Sequence, residues 1–428
     1  MSEKLDVIIF GATGFTGKYT VFEAVSVLQN YRWGIAGRSQ EKLETVLQEM
    51  GAKAKKNLKD IPIIIADIKN EASLLTMAKR CRVLVNCCGP YRFFGEPVVR
   101  ACLEAGTHQV DVTGEPQYME TMQLKYNKQA QERKVFIISA CGFDSIPADL
   151  GVVFIEKNFD GVVNSVESYL QSSVKGNASR GGAGIHYGTW ESAVHGLAHS
   201  NELKELRKKL YEEKLPKFTP VLKPRPVIFR SEIVNGVCLP FPGPDRSVVM
   251  RSQRFLYEHE HKRPVQMHTY VTFPSWLAAV LVALLAVSFG FLTKFTFGRR
   301  LLLKYPKVFS LGFASHEGPT EERMEQTRFS FIMRAKGWPS SEKLSEPTDQ
   351  YTDLPTKTLT VKVSGSNPGY GATCVALLSA AVIILKENDK LPGTGGVLPP
   401  GAAFAKTSLI SELEKHDHGI KFEILANK

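Results

Sequence analysis

Gly11-Ala12-Thr13-Gly14-Phe15-Thr16-Gly17 follows directly on the apolar run Leu5-Asp6-Val7-Ile8-Ile9-Phe10. That run has the length and β-branched content of a buried parallel strand. The next seven residues place glycine wherever a strand-to-helix turn around a pyrophosphate needs it. Gly11 permits the tight turn, Gly14 lets backbone approach the phosphates, and Gly17 lets the following helix pack closely on the sheet. The phosphates then meet free N–H groups at a helix N-terminus, around Thr13, Phe15 and Thr16. A glycine triplet alone is a weak signal, but here a strand precedes it and a helical pattern follows.

The same rhythm continues outward. Strand patterns recur at residues 33–36, 61–66, 83–86, 109–112 and 135–139, and helical patterns fill the gaps at 16–28, 40–50, 71–79, 97–105 and 118–131. Such alternation predicts an α/β fold, a Rossmann-type doubly wound parallel sheet over residues 1–150, with the ligand across the carboxyl ends of the strands. Strand patterns at 163–170, 227–233, 266–273, 328–334 and 358–363 predict a second, mixed α/β domain over 151–370, suited to substrate binding or to a homodimer interface. A Pro-, Ser- and charge-rich stretch at 337–352 reads as a surface loop, 372–386 as an apolar helix, and 421–425 as a closing strand.

The end of the second strand selects the cofactor. An acid about twenty residues past the glycines would hold the ribose hydroxyls of NAD. The sequence there is Gly37-Arg38-Ser39, with Lys42 one turn on, and no acid. Arg grips a phosphate through two parallel hydrogen bonds, so NADP is favoured and NAD stays open. Asp67 is expected either to accept from the adenine amino group or to cap the next helix. The nicotinamide end should lie beside Cys87-Cys88-Gly89-Pro90-Tyr91, where Cys88, Gly89 and Pro90 supply small residues and a bend.

With 428 residues, 43% hydrophobic and 23% charged, the chain is globular and long enough for two or three domains. The seven cysteines form no CxxC pair, which argues against a disulfide or zinc framework, and no metal site is expected. Met1-Ser2-Glu3-Lys4 leads almost at once into the first strand, so no signal or transit segment is expected and the protein should not be secreted. The net charge of +11 would suit nucleic acid, an anionic membrane surface or an acidic substrate. Its distribution points away from nucleic acid: the excess gathers at residues 204–230 and 294–307, and the second cluster follows the apolar segment WLAAVLVALLAVSFGFL at 276–292. Three readings of that segment stand: a span, a helix or hairpin dipped into one leaflet or a droplet monolayer, and a buried or dimer-interface helix. Trp276 at its entry and Phe295, Phe297 and the basic residues at its exit have the character of interfacial anchors.

Many short-chain dehydrogenases share this glycine spacing, but they carry Tyr and Lys four residues apart on a helix. None of the thirteen tyrosines here has that partner. Gly89-Pro90-Tyr91, the block Asp111-Val112-Thr113-Gly114-Glu115, the block Cys141-Gly142-Phe143-Asp144-Ser145-Ile146-Pro147-Ala148-Asp149, and a Gly395-Gly396-Val397-Leu398-Pro399-Pro400-Gly401-Ala402-Ala403-Phe404 run together resemble the saccharopine dehydrogenase-like oxidoreductase family, and most closely its animal members. The resemblance implies two domains, with residues 371–428 returning to complete the nucleotide fold. It also implies a lipid connection: animal members associate with lipid droplets, and bacterial relatives act as trans-acting enoyl reductases in glycolipid synthesis.

The expected function is therefore NAD(P)-dependent reduction of a lipid-derived or apolar carbonyl or alkene. It would take place at a lipid droplet or cytoplasmic membrane surface, with a cytosolic pool. The alternatives are a droplet scaffold that keeps a cofactor site without turnover, and a soluble imine reductase. The candidate proton donors are Tyr91, Glu115, Asp144 and His186, with Asp111 beside them; Cys141 lacks a local His partner. Each has a structural alternative as a cap, an ion-pair partner or a loop residue.

Overall fold

The computed structural model describes residues 4–176, 182–341 and 351–427. Six strands, β1 (Leu5–Phe10), β2 (Trp33–Gly37), β3 (Ile63–Ile65), β4 (Cys81–Asn86), β5 (His108–Asp111) and β6 (Phe136–Ile138), alternate with six helices. These are α1 (Phe15–Val27), α2 (Gln40–Ala54), α3 (Glu71–Lys79), α4 (Tyr91–Ala105), α5 (Pro116–Glu132) and α6 (Ser145–Asn158). The chain continues through β7 (Gly161–Val174), β8 (Ile185–His186), α7 (Tyr187–Ala198), α8 (Glu202–Leu210), β9 (Phe229–Ser231), β10 (Gly236–Pro240), α9 (Asp245–Glu260) and β11 (Gln266–Phe273). Next come α10 (Trp276–Thr293), α11 (Thr296–Lys304), α12 (Pro306–Phe309), β12 (Ala314–Ser315), α13 (Glu321–Gln326), β13 (Thr327–Pro339) and β14 (Lys357–Ser366). It closes with α14 (Thr373–Lys386), β15 (Gly396–Leu398), α15 (Pro400–Phe404), α16 (Leu409–Leu413) and β16 (Lys421–Asn427).

The first sheet has the order β15-β6-β5-β4-β1-β2-β3 and is parallel throughout. Val7, Ile8 and Ile9 on the interior strand β1 are fully buried, as expected of a strand covered by helices on both faces. The second sheet, β16-β14-β13-β7-β11-β10-β9, is mixed: β7 and β11 run parallel and the other pairs antiparallel. Tyr169, Phe331 and Trp338 are among its fully buried side chains.

Four features differ from the sequence expectation. Helix α4 begins at Tyr91 rather than near Pro97, which lies inside it. Pro97 removes one helical hydrogen bond, but the start is fixed elsewhere: Glu115 accepts from the backbone N–H of Tyr91 at 2.9 Å and of Arg92 at 3.0 Å. Strand β10 and helix α9 carried no strong sequence pattern. Residues 371–428 divide between the two sheets: β15 pairs with β6, while β16 pairs with β14. Gly337, Trp338 and Pro339 complete β13 instead of opening a loop, and residues 342–350 of the expected loop lie outside the described residues.

Among the described residues two helices are apolar and long enough to cross a membrane, and they have opposite fates. The stretch Pro368–Lys386 is 83% buried and wedges against α1 and β4. Helix α10 is only 11% buried. It touches the body through Ala279, against Val237 and Leu239, and through Phe289, 4.6 Å from Trp190 of α7. Burial in this chain's own core is thus not the role of residues 276–292.

Candidate nucleotide and substrate site

The turn after β1 has the geometry its glycines suggest. Gly11 sits at φ +82°, in the left-handed region, and a Cβ there would lie 2.7 Å from Cys88 Sγ. A Cβ on Gly17 would meet the Gly11 carbonyl oxygen at 2.1 Å. At Gly14 the nearest atom to such a Cβ is that same oxygen at 3.3 Å, and the residue is otherwise exposed. Gly14 is the N-cap of α1 and no side chain caps it, so the first-turn N–H groups of Phe15, Thr16 and Gly17 remain for a ligand. Thr13 beside them is half-buried.

At the end of β2, Arg38 and Lys42 are exposed, and neither side chain has an acceptor among the described residues. Ser39 Oγ accepts from Lys42 N at 3.4 Å and caps α2. Two free cations beside an uncapped helix start suit a 2′-phosphate and a pyrophosphate. Asp67 is not the cap of α3; Asn70 is, accepting from Ser73 N at 3.1 Å. Asp67 Oδ1 instead accepts from Lys69 N at 2.9 Å. Past β4, Cys88 and exposed Gly89 edge the cleft, and Pro90 is the N-cap of α4. Burial pushes the Cys88 thiol up to about 12, so it is inert at neutral pH.

The candidate donors divide. Tyr91 is buried, its hydroxyl donates to the Asn86 carbonyl at 2.8 Å, and burial holds its pKa well above the ordinary phenol value. Glu115 is also committed: besides capping α4, it accepts from Ser192 Oγ on α7 at 2.9 Å and so ties α4 to α7. His186 stacks on Phe15 of the glycine loop, centroids 4.7 Å apart, and its Nδ1 accepts from Gly188 N at 3.1 Å. That bond leaves the proton on Nε2, and burial lowers its pKa below the ordinary imidazole value. Asp111 is fully buried and accepts from Ser139 Oγ at 2.9 Å and Thr113 N at 3.1 Å, and burial still raises it to about 6. Cys141 is sealed in the core and its thiol pKa is raised.

Asp144 stands at the N-cap of α6 with φ +74°, and its Oδ1 is sealed from solvent without a partner. Helix α9 brings Asp245 against it. Asp245 is fully buried and neither of its carboxyl oxygens has a hydrogen-bond partner. Burial raises both, and the neighbouring Asp144 raises Asp245 further, which favours keeping a proton on the pair. Pro244, just before Asp245, packs 3.6 Å from where a Gly114 side chain would begin, at the carboxyl edge beyond β5. Asp245 was not legible in the sequence because α9 reaches the site through tertiary packing alone. Among the described residues no cluster could ligate a metal ion.

A human saccharopine dehydrogenase-like oxidoreductase is 39% identical over 98% of this chain and 97% of its own length. This chain belongs to the saccharopine dehydrogenase-like oxidoreductase family. The profile of the saccharopine dehydrogenase NADP binding domain matches residues 7–138, the span that carries the glycine turn, Arg38 and Cys88. A Caenorhabditis elegans relative named lipid droplet localized protein is 35% identical, covering 98% of both chains. The apo saccharopine dehydrogenase (L-Glu forming) of Saccharomyces cerevisiae matches in fold with a TM-score of 0.52 at 13% identity, over 99% of this chain and 100% of that one. The family therefore supplies an NADP-binding Rossmann sheet joined to a second mixed sheet, as the structure shows here.

Proposed function

We propose that this family member reduces a lipid-derived or apolar carbonyl or alkene with NADPH while docked on a lipid monolayer or membrane surface. The observation that carries this reading is the position of α10. Its apolar side chains are exposed on nearly all sides, yet it packs on α7, whose N-cap His186 stacks against the phosphate turn. Phe297, at 72% exposure, and Leu311, at 75%, extend the apolar face beyond α10. Lys294, Arg300 and Lys304 flank it without a carboxylate partner among the described residues, a pattern suited to anionic headgroups. A substrate drawn from lipid would then enter beside the nicotinamide end without crossing water. When bound, the cofactor supplies the hydride; the chain's part is to seat the phosphates on Gly14 to Gly17 and Arg38, and to hold a proton on the Asp144–Asp245 pair.

The name of the C. elegans relative supports the droplet surface. The engagement of Tyr91 and Glu115 in structural bonds favours a second reading, a droplet scaffold with an intact cofactor site. Calorimetric titration with NADPH and NADH, paired with flotation on phosphatidylserine-containing vesicles, tests the proposal. Arg38→Ala should lose NADPH affinity about tenfold or more and keep its NADH affinity. Leu281→Glu with Leu284→Glu should abolish flotation without lowering thermal stability. Wild-type protein that neither binds NADPH nor floats refutes both halves.

A further inference from the structure

A second cavity, away from the nucleotide turn, lies under the strap 219–226 where that strap crosses one end of the mixed sheet. Polar anchors fix the strap in place. The Pro220 carbonyl accepts from Asn164 Nδ2 at 3.1 Å and Gln266 Nε2 at 2.9 Å, and Leu222 N donates to Gln266 Oε1 at 2.9 Å. Arg225 grips Glu167 with two bonds of 2.8 Å. The space left between strap and sheet is about 470 Å³, within the range of small-ligand pockets.

The charges around this space are unbalanced. Four cations line it, Lys223, Arg225, Arg334 and Lys336, against one carboxylate, Glu167, which Arg225 already occupies. Arg334 stands opposite Glu167 and Lys336 opposite Ser165 in the β13–β7 register, so both rise from the same sheet face. Arg334 Nε is sealed from solvent and has no acceptor. Lys223 and Lys336 have no carboxylate in reach among the described residues. No ligand oxygen reaches that sealed Nε; the terminal guanidinium nitrogens of Arg334 are not sealed, have no acceptor among the described residues, and suit an oxyanion. The rest of the lining is apolar, from Val221, Leu222 and Leu354 with the strap prolines.

We infer that this cavity binds a small amphiphile, an oxyanion head held by Arg334, Lys336 and Lys223 with an apolar stem against the strap. The head can come from a free phosphate compound or from a single-chain lipid, and the test separates the two. The full-length protein is titrated calorimetrically at low salt with inorganic phosphate and with monomeric octyl phosphate, using wild type, Arg334→Gln, Lys336→Gln and Arg38→Ala. The expected result is saturable binding of octyl phosphate at least about tenfold tighter than phosphate, since each buried methylene contributes about 0.8 kcal/mol. Arg334→Gln should weaken it about tenfold or more, exposed Lys336→Gln by a smaller factor, and Arg38→Ala not at all. Absence of saturable binding to wild type, or equal affinity in both cavity variants, overturns the site. Loss of binding in Arg38→Ala would place the ligand in the nucleotide cleft and overturn it too. Equal affinity for the two probes overturns the apolar stem and leaves a free oxyanion as the occupant.

Discussion

Replacing Asp149 by Asn should change how stability depends on pH by an amount the structure sets. Asp149 lies on α6 and is 1% exposed; its Oδ2 accepts from Ser252 Oγ on α9 and from Gly401 N on α15, both at 2.6 Å. Its Oδ1 has no partner. Burial outweighs the two hydrogen bonds and raises the carboxyl to about 7. Its unfolded value is about 3.9, so the folded protein keeps a proton that the unfolded chain releases. Stability from this group is therefore fully present below about pH 4 and falls as pH rises, by up to about 1.4 kcal/mol per unit, until about pH 7. The whole loss is about 4 kcal/mol. Asparagine preserves the acceptor for Ser252 and Gly401 and puts its amide nitrogen where an unpartnered oxygen was, adding a cost that does not vary with pH. Urea denaturation of wild type and Asp149→Asn between about pH 4 and pH 8 reads the difference, in which the titrations of Asp111 and of the Asp144–Asp245 pair largely cancel. The variant should gain on wild type by about 4 kcal/mol across that range. A difference that stays constant with pH would mean that Asp149 is ionised in the fold, and the burial argument would be wrong.

The last two glycines of the α1 turn should separate folding from binding. Gly17→Ala drives a methyl into the Gly11 carbonyl and should destabilise by about 3 kcal/mol or more, seen in thermal melts. Gly14→Ala should fold normally and lose NADPH binding, measured by calorimetry, because its methyl occupies the phosphate approach. Glu115→Ala removes the acceptor for two backbone N–H groups and for Ser192; we expect a loss of about 2–4 kcal/mol and faster amide exchange at Tyr91 and Arg92. His418 sits between Glu23 at 2.6 Å and Glu325 at 3.1 Å, which lift its pKa to about 9. Its stabilising effect, about 1 kcal/mol after solvent screening, should be complete below about pH 6.5 and vanish as pH passes about 9. Comparing His418→Gln with wild type at both ends of that range tests the sign.

The parallel sheet was readable because its strands are apolar on both faces and each is followed by a helix-period pattern. Helices α2 and α3 were also readable from their periodicity, but not their caps: Ser39, read for its place beside a phosphate, caps α2, and Asn70 rather than Asp67 caps α3. What stayed hidden depends on distant partners. The start of α4 is fixed by Glu115, beyond the next strand, and no local signal at Tyr91 could reveal it. Strand β10 contributes only five residues and gains its place by pairing with β9 and β11. At the candidate site, Gly11, Gly14, Gly17 and Arg38 carry their role in local backbone and charge, so the sequence exposed them. Asp245 does not: its meaning arises only once α9 buries it against Asp144. The apolar run at 276–292 showed the converse limit, since composition alone gave α10 and α14 the same character and only packing separated them.

The union of β15 with β6 also governs how the protein is made. Ile138 and Leu398 lie side by side, although more than half the sequence separates them. At about 5–20 residues per second, a ribosome takes on the order of 10–50 s to cover that interval. Through all of it the nascent nucleotide half presents β6 as an open sheet edge, and Asp149 waits for Gly401. A chain ending before Gly396 would leave that edge open and Asp149 without its Gly401 donor.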